Sequence, residues 1–271
     1  SRPRRFGKSL LLSTFEAYFE GKKELFEGLA IEKMETEWKK YPVLHLDLNA
    51  KKYETPADLI AMLNQTLEKW EIVYGNEKKD RSPEERFAYV IERAYEQAGC
   101  GVVVLVDEYD KPLLQALDND ALLEDYRKTL KAFYGVLKSA DRYLRFAFLT
   151  GVTKFSQVSV FSDLNQLNDI SLDYSYATVC GITRTELVET FTPEIEEFGR
   201  INKLSAEETV NKMARQYDGY HFHPKGDGVF NPFSVLNAFS KRELGDYWFQ
   251  TGTPTFLVEM LRKSEYDLRI L

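Results

Sequence analysis

A three-layer α/β core with a mainly parallel sheet, followed by a mostly helical accessory domain, is the fold class this sequence predicts. Three observations predict it. Gly101-Val-Val-Val-Leu-Val-Asp-Glu108 contains five successive aliphatic residues without alternation, the pattern of a strand buried on both faces in a parallel sheet covered by helices. Further apolar runs are separated by long amphipathic stretches, as right-handed crossovers require. From about Arg184 the pattern changes to helical segments alternating with aromatic, turn-rich ones. The organisation expected is therefore a core over residues 1–184 and a helical lid over 185–271.

The elements follow in order. Lys8 opens an amphipathic helix that runs to Glu20, with Gly21 suited to end it. Tyr41-Pro-Val-Leu-His-Leu-Asp-Leu-Asn49 reads as a strand. Thr55-Pro56 gives a cap and a first-turn proline, and Leu59, Met62, Leu63, Leu67, Trp70 and Val73 form the buried stripe of a helix. Ser82-Pro83-Glu84-Glu85 is a capping box opening a helix to about Gln97. After the strand at 101–108 come a helix from about Asp120 to Ala140, a strand in Arg145–Val152 and another in Tyr176–Ile182. The lid helices expected are Thr185–Phe191, Ser205–Tyr217, Pro232–Lys241 and Pro254–Lys263.

Composition limits the function classes. The 271 residues are 44% hydrophobic and 14% aromatic, which excludes a disordered chain, and no apolar run approaches the roughly 20 residues of a membrane span. Two cysteines in apolar stretches, Cys100 and Cys180, argue against a disulfide scaffold and for a reducing, cytoplasmic setting. With 36 basic and 43 acidic residues the formal charge is −7, so nucleic acid is expected as an indirect partner at most.

The chemistry starts at the first residues. Arg2-Pro-Arg-Arg-Phe-Gly-Lys-Ser9 opens a helix in the manner of a phosphate-binding loop, GxxxxGK[ST]. In such a loop backbone N–H groups surround a phosphate, the lysine reaches the β and γ oxygens, and the hydroxyl ligates Mg²⁺. Arg4, Arg5, Phe6, Gly7, Lys8, Ser9 and Leu10 are the candidate nucleotide-binding residues. Arg2 stands where the first glycine would be, and the strand that normally precedes the loop is expected upstream of Ser1. Asp107-Glu108, ending the aliphatic strand, supplies the second half. Asp107 would join Ser9 in holding Mg²⁺, and Glu108 would polarise the attacking water. Thr150, ending the next core strand, is either a γ-phosphate contact or a polar cap before Gly151. Asp110 and Lys111 either orient the segment after the magnesium strand or pair on the surface. Arg2, Arg4 and Arg5 either contact phosphates or act as arginine fingers across a subunit boundary.

Several stretches together resemble one family: Arg2–Ser9, Val106-Asp-Glu-Tyr-Asp-Lys-Pro-Leu113, Leu149-Thr-Gly-Val-Thr-Lys-Phe155 with Ser159-Val-Phe-Ser162, Tyr217-Asp-Gly-Tyr220, Asn231-Pro-Phe-Ser-Val-Leu-Asn237, Tyr247-Trp248 and Thr251-Gly-Thr-Pro-Thr255. The chain is similar to the AAA-ATPase-like family, P-loop ATPase domains commonly fused to a nuclease domain of the PD-(D/E)xK type. The resemblance implies an additional-strand (ASCE) P-loop core with sheet order 5-1-4-3-2 and a helical lid. It assigns phosphate binding to Lys8, magnesium to Ser9 and Asp107, and water activation to Glu108, with ATP and Mg²⁺ as cofactors. ATP and ADP are the expected ligands, and a second copy of the chain is a candidate partner. A nuclease site would need Glu-x-Lys on a strand. Glu37-Trp-Lys39 and Glu77-Lys-Lys79 sit on none, so a nuclease domain would follow Leu271. The alternative function is a non-hydrolysing interaction or switch domain, with a degenerate nucleotide site, in a nucleic-acid-processing protein.

Weaker signals have plainer readings. His221 and His223 are expected as turn-flanking polar residues and His45 as a core or sheet-face residue. The aromatic residues Tyr217, Tyr220, Phe222, Phe230, Phe233, Tyr247, Trp248 and Phe249 are expected to pack rather than to stack on bases.

Overall fold

The computed structural model describes residues 1–152, 160–161 and 167–248. The segments 153–159, 162–166 and 249–271, with the expected helix Pro254–Lys263, the Thr251–Thr255 stretch and Phe249, lie outside the described residues. The chain forms two compact units. The first is Ser1–Pro3 with Lys8–Asn168, and the second is Arg4–Gly7 with Asp169–Leu271.

A mixed α/β arrangement around a three-stranded parallel sheet makes up the first unit. Strands β1 (Val43–Asp47), β2 (Val102–Asp107) and β3 (Leu144–Leu149) lie in the order β1-β2-β3, so the aliphatic strand is central. Asp47 is in register with Asp107, and Val106 with Leu149. All three strands therefore end on one side. The six residues of β2 are all buried. Val102, Val104 and Val106 face a cluster with Leu59, Leu63 and Leu67 of a helix over Pro56–Tyr74, Phe87 and Ile91 of one over Pro83–Ala98, and Leu130 and Phe133 of one over Asp120–Ser139. Val103 and Leu105 face the other way, against Leu12 and Phe19 of the helix α1, Lys8–Phe19. A strand with helices on both faces has no polar side, which is why its sequence does not alternate.

Local signals place the helix starts. The Asp58 carboxylate accepts from the Thr55 backbone N–H at 2.8 Å, and the Glu85 carboxylate from that of Ser82 at 3.2 Å. Gly99, in a left-handed conformation, ends the second of these helices. Two helices are held by a buried ion pair: the Arg86 guanidinium donates from Nε and Nη2 to Glu71, each at 2.7 Å, and from Nη1 to Asn64 Oδ1 at 2.7 Å. Short helices over Ala30–Met34 and Lys111–Gln115, absent from the sequence expectation, also belong to this unit.

The second unit is mostly helical, with helices over Arg184–Thr190, Thr192–Asn202, Ala206–Tyr217 and Pro232–Lys241. Thr183–Glu186 and Ser205–Glu208 are reciprocal capping boxes. Leu187, Phe198, Met213, Tyr217, Phe230 and Tyr247 share its core, with Phe233 packed against them. Tyr217, Phe230, Phe233 and Tyr247 of the aromatic set thus pack in this core.

One expected strand is corrected. Tyr176–Ile182 does not form a sheet strand: the Asp173 carboxylate caps a 3-10 turn over Tyr174–Tyr176, turns continue through Gly181, and only Ile182–Thr183 (β4) extends, antiparallel to Val229–Phe230 (β5). The reason is local. Apolar side chains here are broken by Thr178 and Gly181, and Cys180 has φ +67°, which no strand accommodates. The pairing of Ile182 with Phe230 ties this stretch to the second unit, which begins upstream of the Arg184 boundary expected from sequence. Among the described residues no helix is long and apolar enough to cross a membrane.

Candidate nucleotide site

The ends of parallel strands carry carbonyl groups and the loops that follow them, and a helix that starts there directs its N–H groups and positive dipole end at the same place. In this chain the start of α1 meets the ends of β2 and β3. Gly7, with φ +86°, is the turn residue before Lys8, and an added Cβ would meet nothing within 4 Å, so the position is restricted by backbone conformation alone.

Asp107, 4% exposed, is the centre of the cluster. The Ser9 hydroxyl donates to its Oδ2, and the Thr150 hydroxyl donates to its Oδ1 at 2.6 Å. The Glu108 N–H donates in turn to Thr150 Oγ1 at 3.4 Å. Thr150 is 6% exposed, and its backbone continues the sheet, with its N–H donating to Val106 O at 2.8 Å and its carbonyl accepting from Tyr109 N–H at 2.9 Å. Thr150 is thus bonded through its side chain to both acidic residues and does not merely cap a strand. Lys8 is 6% exposed, with its ammonium donating to the Pro3 carbonyl at 3.2 Å.

Glu108 has φ +50°, a left-handed conformation unusual for a residue with a side chain. Burial raises its pKa above the ordinary glutamate value, with the Lys8 ammonium pulling the other way, Asp107 adding to the rise, Lys111 opposing it and Asp110 adding to it. A carboxyl group shifted upward is the better proton acceptor, because its basicity lies nearer neutral pH.

The sequence-predicted residues thus divide. Lys8, Ser9, Asp107, Glu108 and Thr150 belong to the first unit, where Asp107 joins Ser9 and Thr150 by direct hydrogen bonds. Leu10 is 71% exposed on the first turn of α1. Arg4, Arg5 and Phe6 are engaged inside the second unit. The Arg5 guanidinium lies 4.3 Å from the Phe233 ring centre and donates to Tyr247 O at 3.4 Å. Phe6 is buried edge-on against Tyr220 at 4.7 Å and Phe222 at 5.5 Å, and the Arg4 carbonyl accepts from Trp248 Nε1 at 3.3 Å. Arg2, at the first-glycine position, is buried, with its N–H donating to Gly151 O at 3.3 Å.

The structure also places the weaker sequence signals. Lys111 and Asp110 do not pair on the surface: Lys111 donates to Asn49 O at 2.8 Å and to Asn49 Oδ1, and Asp110 is fully buried. His45 faces Glu16, with Nδ1 and Oε2 2.9 Å apart. His223 accepts from Lys225 N–H at 3.1 Å and packs against Tyr174, and among the described residues no group of three or more His, Cys, Asp or Glu could hold a metal. Neither Glu37–Lys39 nor Glu77–Lys79 is on a strand. Gly151, expected only as a turn residue after Thr150, is also tightly packed. An added Cβ there would stand 2.5 Å from the Tyr109 ring and 2.9 Å from the Asp110 carboxyl.

A protein from Azotobacter chroococcum mcd 1, described as an uncharacterized protein in the vnfD 5' region, is 40% identical over 261 residues, covering 96% of this chain and 48% of its own. The chain therefore spans about half the length of that relative. No solved structure matches. A family model described as predicted AAA-ATPase matches residues 1–161, the stretch that holds Lys8, Ser9, Asp107, Glu108 and Thr150, and the chain belongs to this AAA-ATPase-like family.

Proposed function

We propose that this chain is an ATP-binding P-loop module that hydrolyses the β-γ phosphoanhydride of ATP with Mg²⁺, coupled to a neighbouring domain or subunit through its helical lid. The observation that carries the reading is the hydrogen-bonded group Ser9-Asp107-Thr150, set where the first turn of α1 meets the ends of β2 and β3, with Glu108 next to it in a left-handed turn. The order β1-β2-β3 supports it too, since it corresponds to the 2-3-4 part of the 5-1-4-3-2 sheet of an additional-strand P-loop core.

The donor set fits magnesium. Ser9 Oγ and Asp107 Oδ2 are hard oxygen donors already in contact, and Mg²⁺ takes one or two protein ligands while keeping waters and phosphate oxygens. When bound, the ion would neutralise charge on the β and γ phosphates. The chain's own residues do the rest. Lys8 leaves the Pro3 carbonyl and pairs with the phosphate oxygens. Glu108 orients a water and takes its proton as the water oxygen bonds to the γ phosphorus; the bond from that phosphorus to the bridging oxygen breaks, and ADP leaves with the electron pair. Thr150 holds the Asp107 carboxylate and the Glu108 backbone in place.

Phosphate release from Mg-ATP by the full-length protein tests this. Glu108→Gln should lower the release by about 10²–10⁴-fold while calorimetric binding of ATP persists. Release unchanged by that substitution refutes Glu108 as the base. Absence of heat with both ATP and ADP refutes nucleotide binding and favours the non-hydrolysing interaction domain, to which the buried Arg2 at the first-glycine position also points.

A further inference from the structure

Asp110 is the acidic residue of the Asp107-Glu-Tyr-Asp-Lys111 stretch that has no part in the nucleotide chemistry above, yet it is more deeply buried than any of those that do, with 0% exposure. A buried carboxyl group is retained only if hydrogen-bonded, because its desolvation is otherwise expensive. Both of its oxygens accept from the Val152 N–H, at 3.0 and 3.2 Å. The two residues before Val152 are the other tie points of the site: Thr150 contacts Asp107 and the backbone of Glu108 and Tyr109, and the Gly151 carbonyl accepts from Arg2 N–H, in the phosphate-loop segment. Glu108 is thus held between two ties. On its N-terminal side β2 anchors it, and on its C-terminal side Asp110 fixes the turn to the end of β3.

We propose that Asp110 is a positioning residue that fixes the left-handed turn at Glu108, and with it the distance from the Glu108 carboxylate to the Thr150 and Lys8 side of the site. Gly151 is the matching half of this device, because a side chain there would displace the Asp110 carboxyl and the Tyr109 ring, whose atoms stand 2.9 and 2.5 Å from an added Cβ. The kinetic part of the inference rests on the ATPase reading; the structural part does not. A displacement of about 1 Å at a reacting group costs on the order of 10²-fold in rate.

Full-length wild type, Asp110→Ala, Asp110→Asn and Gly151→Ala are compared for Mg-ATP turnover per nucleotide-binding site, counted by ADP titration, and for amide hydrogen exchange. Asp110→Ala should lower kcat by about 10²-fold with KM within about threefold. Asp110→Asn, which keeps an acceptor for Val152, should restore most of it, and Gly151→Ala should behave like Asp110→Ala while filling a different space. Exchange at residues 108–111 and 150–152 should quicken at least tenfold in Asp110→Ala with the helices over Pro56–Tyr74 and Pro83–Ala98 still protected. A kcat per site equal to wild type in Asp110→Ala, or equal loss in Asp110→Asn and Asp110→Ala, overturns the positioning role. If wild type shows no turnover, the ATPase reading fails and the exchange result decides alone: local quickening supports the tie, and unchanged or uniformly lost protection refutes it. Should Asp110→Ala not fold, Gly151→Ala takes its place, and a normal kcat in that variant refutes the proposal.

Discussion

Replacing Thr150 by Val keeps the shape of the side chain and removes its hydroxyl, which separates the two meanings of this residue. The hydroxyl donates to Asp107 Oδ1 at 2.6 Å in a site where Thr150 is 6% and Asp107 4% exposed, so water cannot replace it. A hydrogen bond to a charged group contributes about 1.5–3 kcal/mol. The Glu108 N–H loses its acceptor at 3.4 Å, a long bond that adds little. The expected cost is about 2 kcal/mol for Thr150→Val, read as a fall in Tm of about 4–8 °C for a unit of this size. Thr150→Ser keeps the hydroxyl and should recover more than half of that loss. A Thr that only capped the strand at Gly151 would cost a few tenths of a kcal/mol when replaced, as surface changes do. Thermal unfolding by circular dichroism in nucleotide-free buffer measures it, and a Thr150→Val Tm within 1 °C of wild type, or a Thr150→Ser Tm equal to that of Thr150→Val, refutes the argument.

Two further outcomes follow from buried charge. Arg86→Met leaves the Glu71 carboxylate, 4% exposed by side chain, without the two 2.7 Å bonds it now accepts; the loss should be about 3–5 kcal/mol, and the double change Arg86→Met with Glu71→Met should return most of it in urea unfolding. Glu108 gives a pH dependence with a definite sign in nucleotide- and metal-free protein. Its folded pKa is raised, first by burial, so the folded state binds the extra proton, and the residue's contribution to stability falls as pH rises from the ordinary glutamate value through the folded one. Glu108→Gln should therefore melt higher than wild type at pH 7–8, with the difference vanishing by about pH 4, and an equal gap at both pH values contradicts the burial argument.

The core was legible where one physical cause acts alone. Burial on both faces leaves no alternation, and that identified Val102–Val106 as a central strand. Capping chemistry is local too, so Thr55, Ser82 and Ser205 mark helix starts in the sequence and in the structure alike. Thr192-Pro193 carries the same kind of signal, but only Phe191 separates its helix from the one ending at Thr190, and no helix is expected there from the sequence. Tyr176–Ile182 misled for the opposite reason: apolar content without continuous aliphatics satisfies a hydrophobicity count, while the backbone of Cys180 excludes extension. In the candidate site, Lys8, Ser9, Asp107 and Glu108 could be singled out because a phosphate- and metal-binding site would require those residue types in that order, and the structure joins Ser9 to Asp107. Asp110 was not separable from a surface acid, because its burial depends on strands that meet from residues 102 and 144 onward.

Glu108 itself shows how conformation and chemistry can be told apart from a single chain. Of the residues with side chains that have φ between +45° and +68°, Lys203 and Arg242 each stand directly after a helix, where a left-handed cap satisfies the last carbonyls and the conformation has a local reason. Glu108 follows a strand and has no helix to close. Glycine would adopt φ +50° without the cost of about 1–3 kcal/mol that a side chain carries there. The turn is nevertheless held, by β2 before it and after it by Tyr109 N–H on the Thr150 carbonyl and Asp110 on Val152 N–H. The carboxylate carried on this backbone is raised in proton affinity by its burial, while the Lys8 ammonium pulls the other way. Strain and burial thus act on one residue, and on the proposed reading they would fix a proton acceptor there against the opposing pull of the Lys8 ammonium.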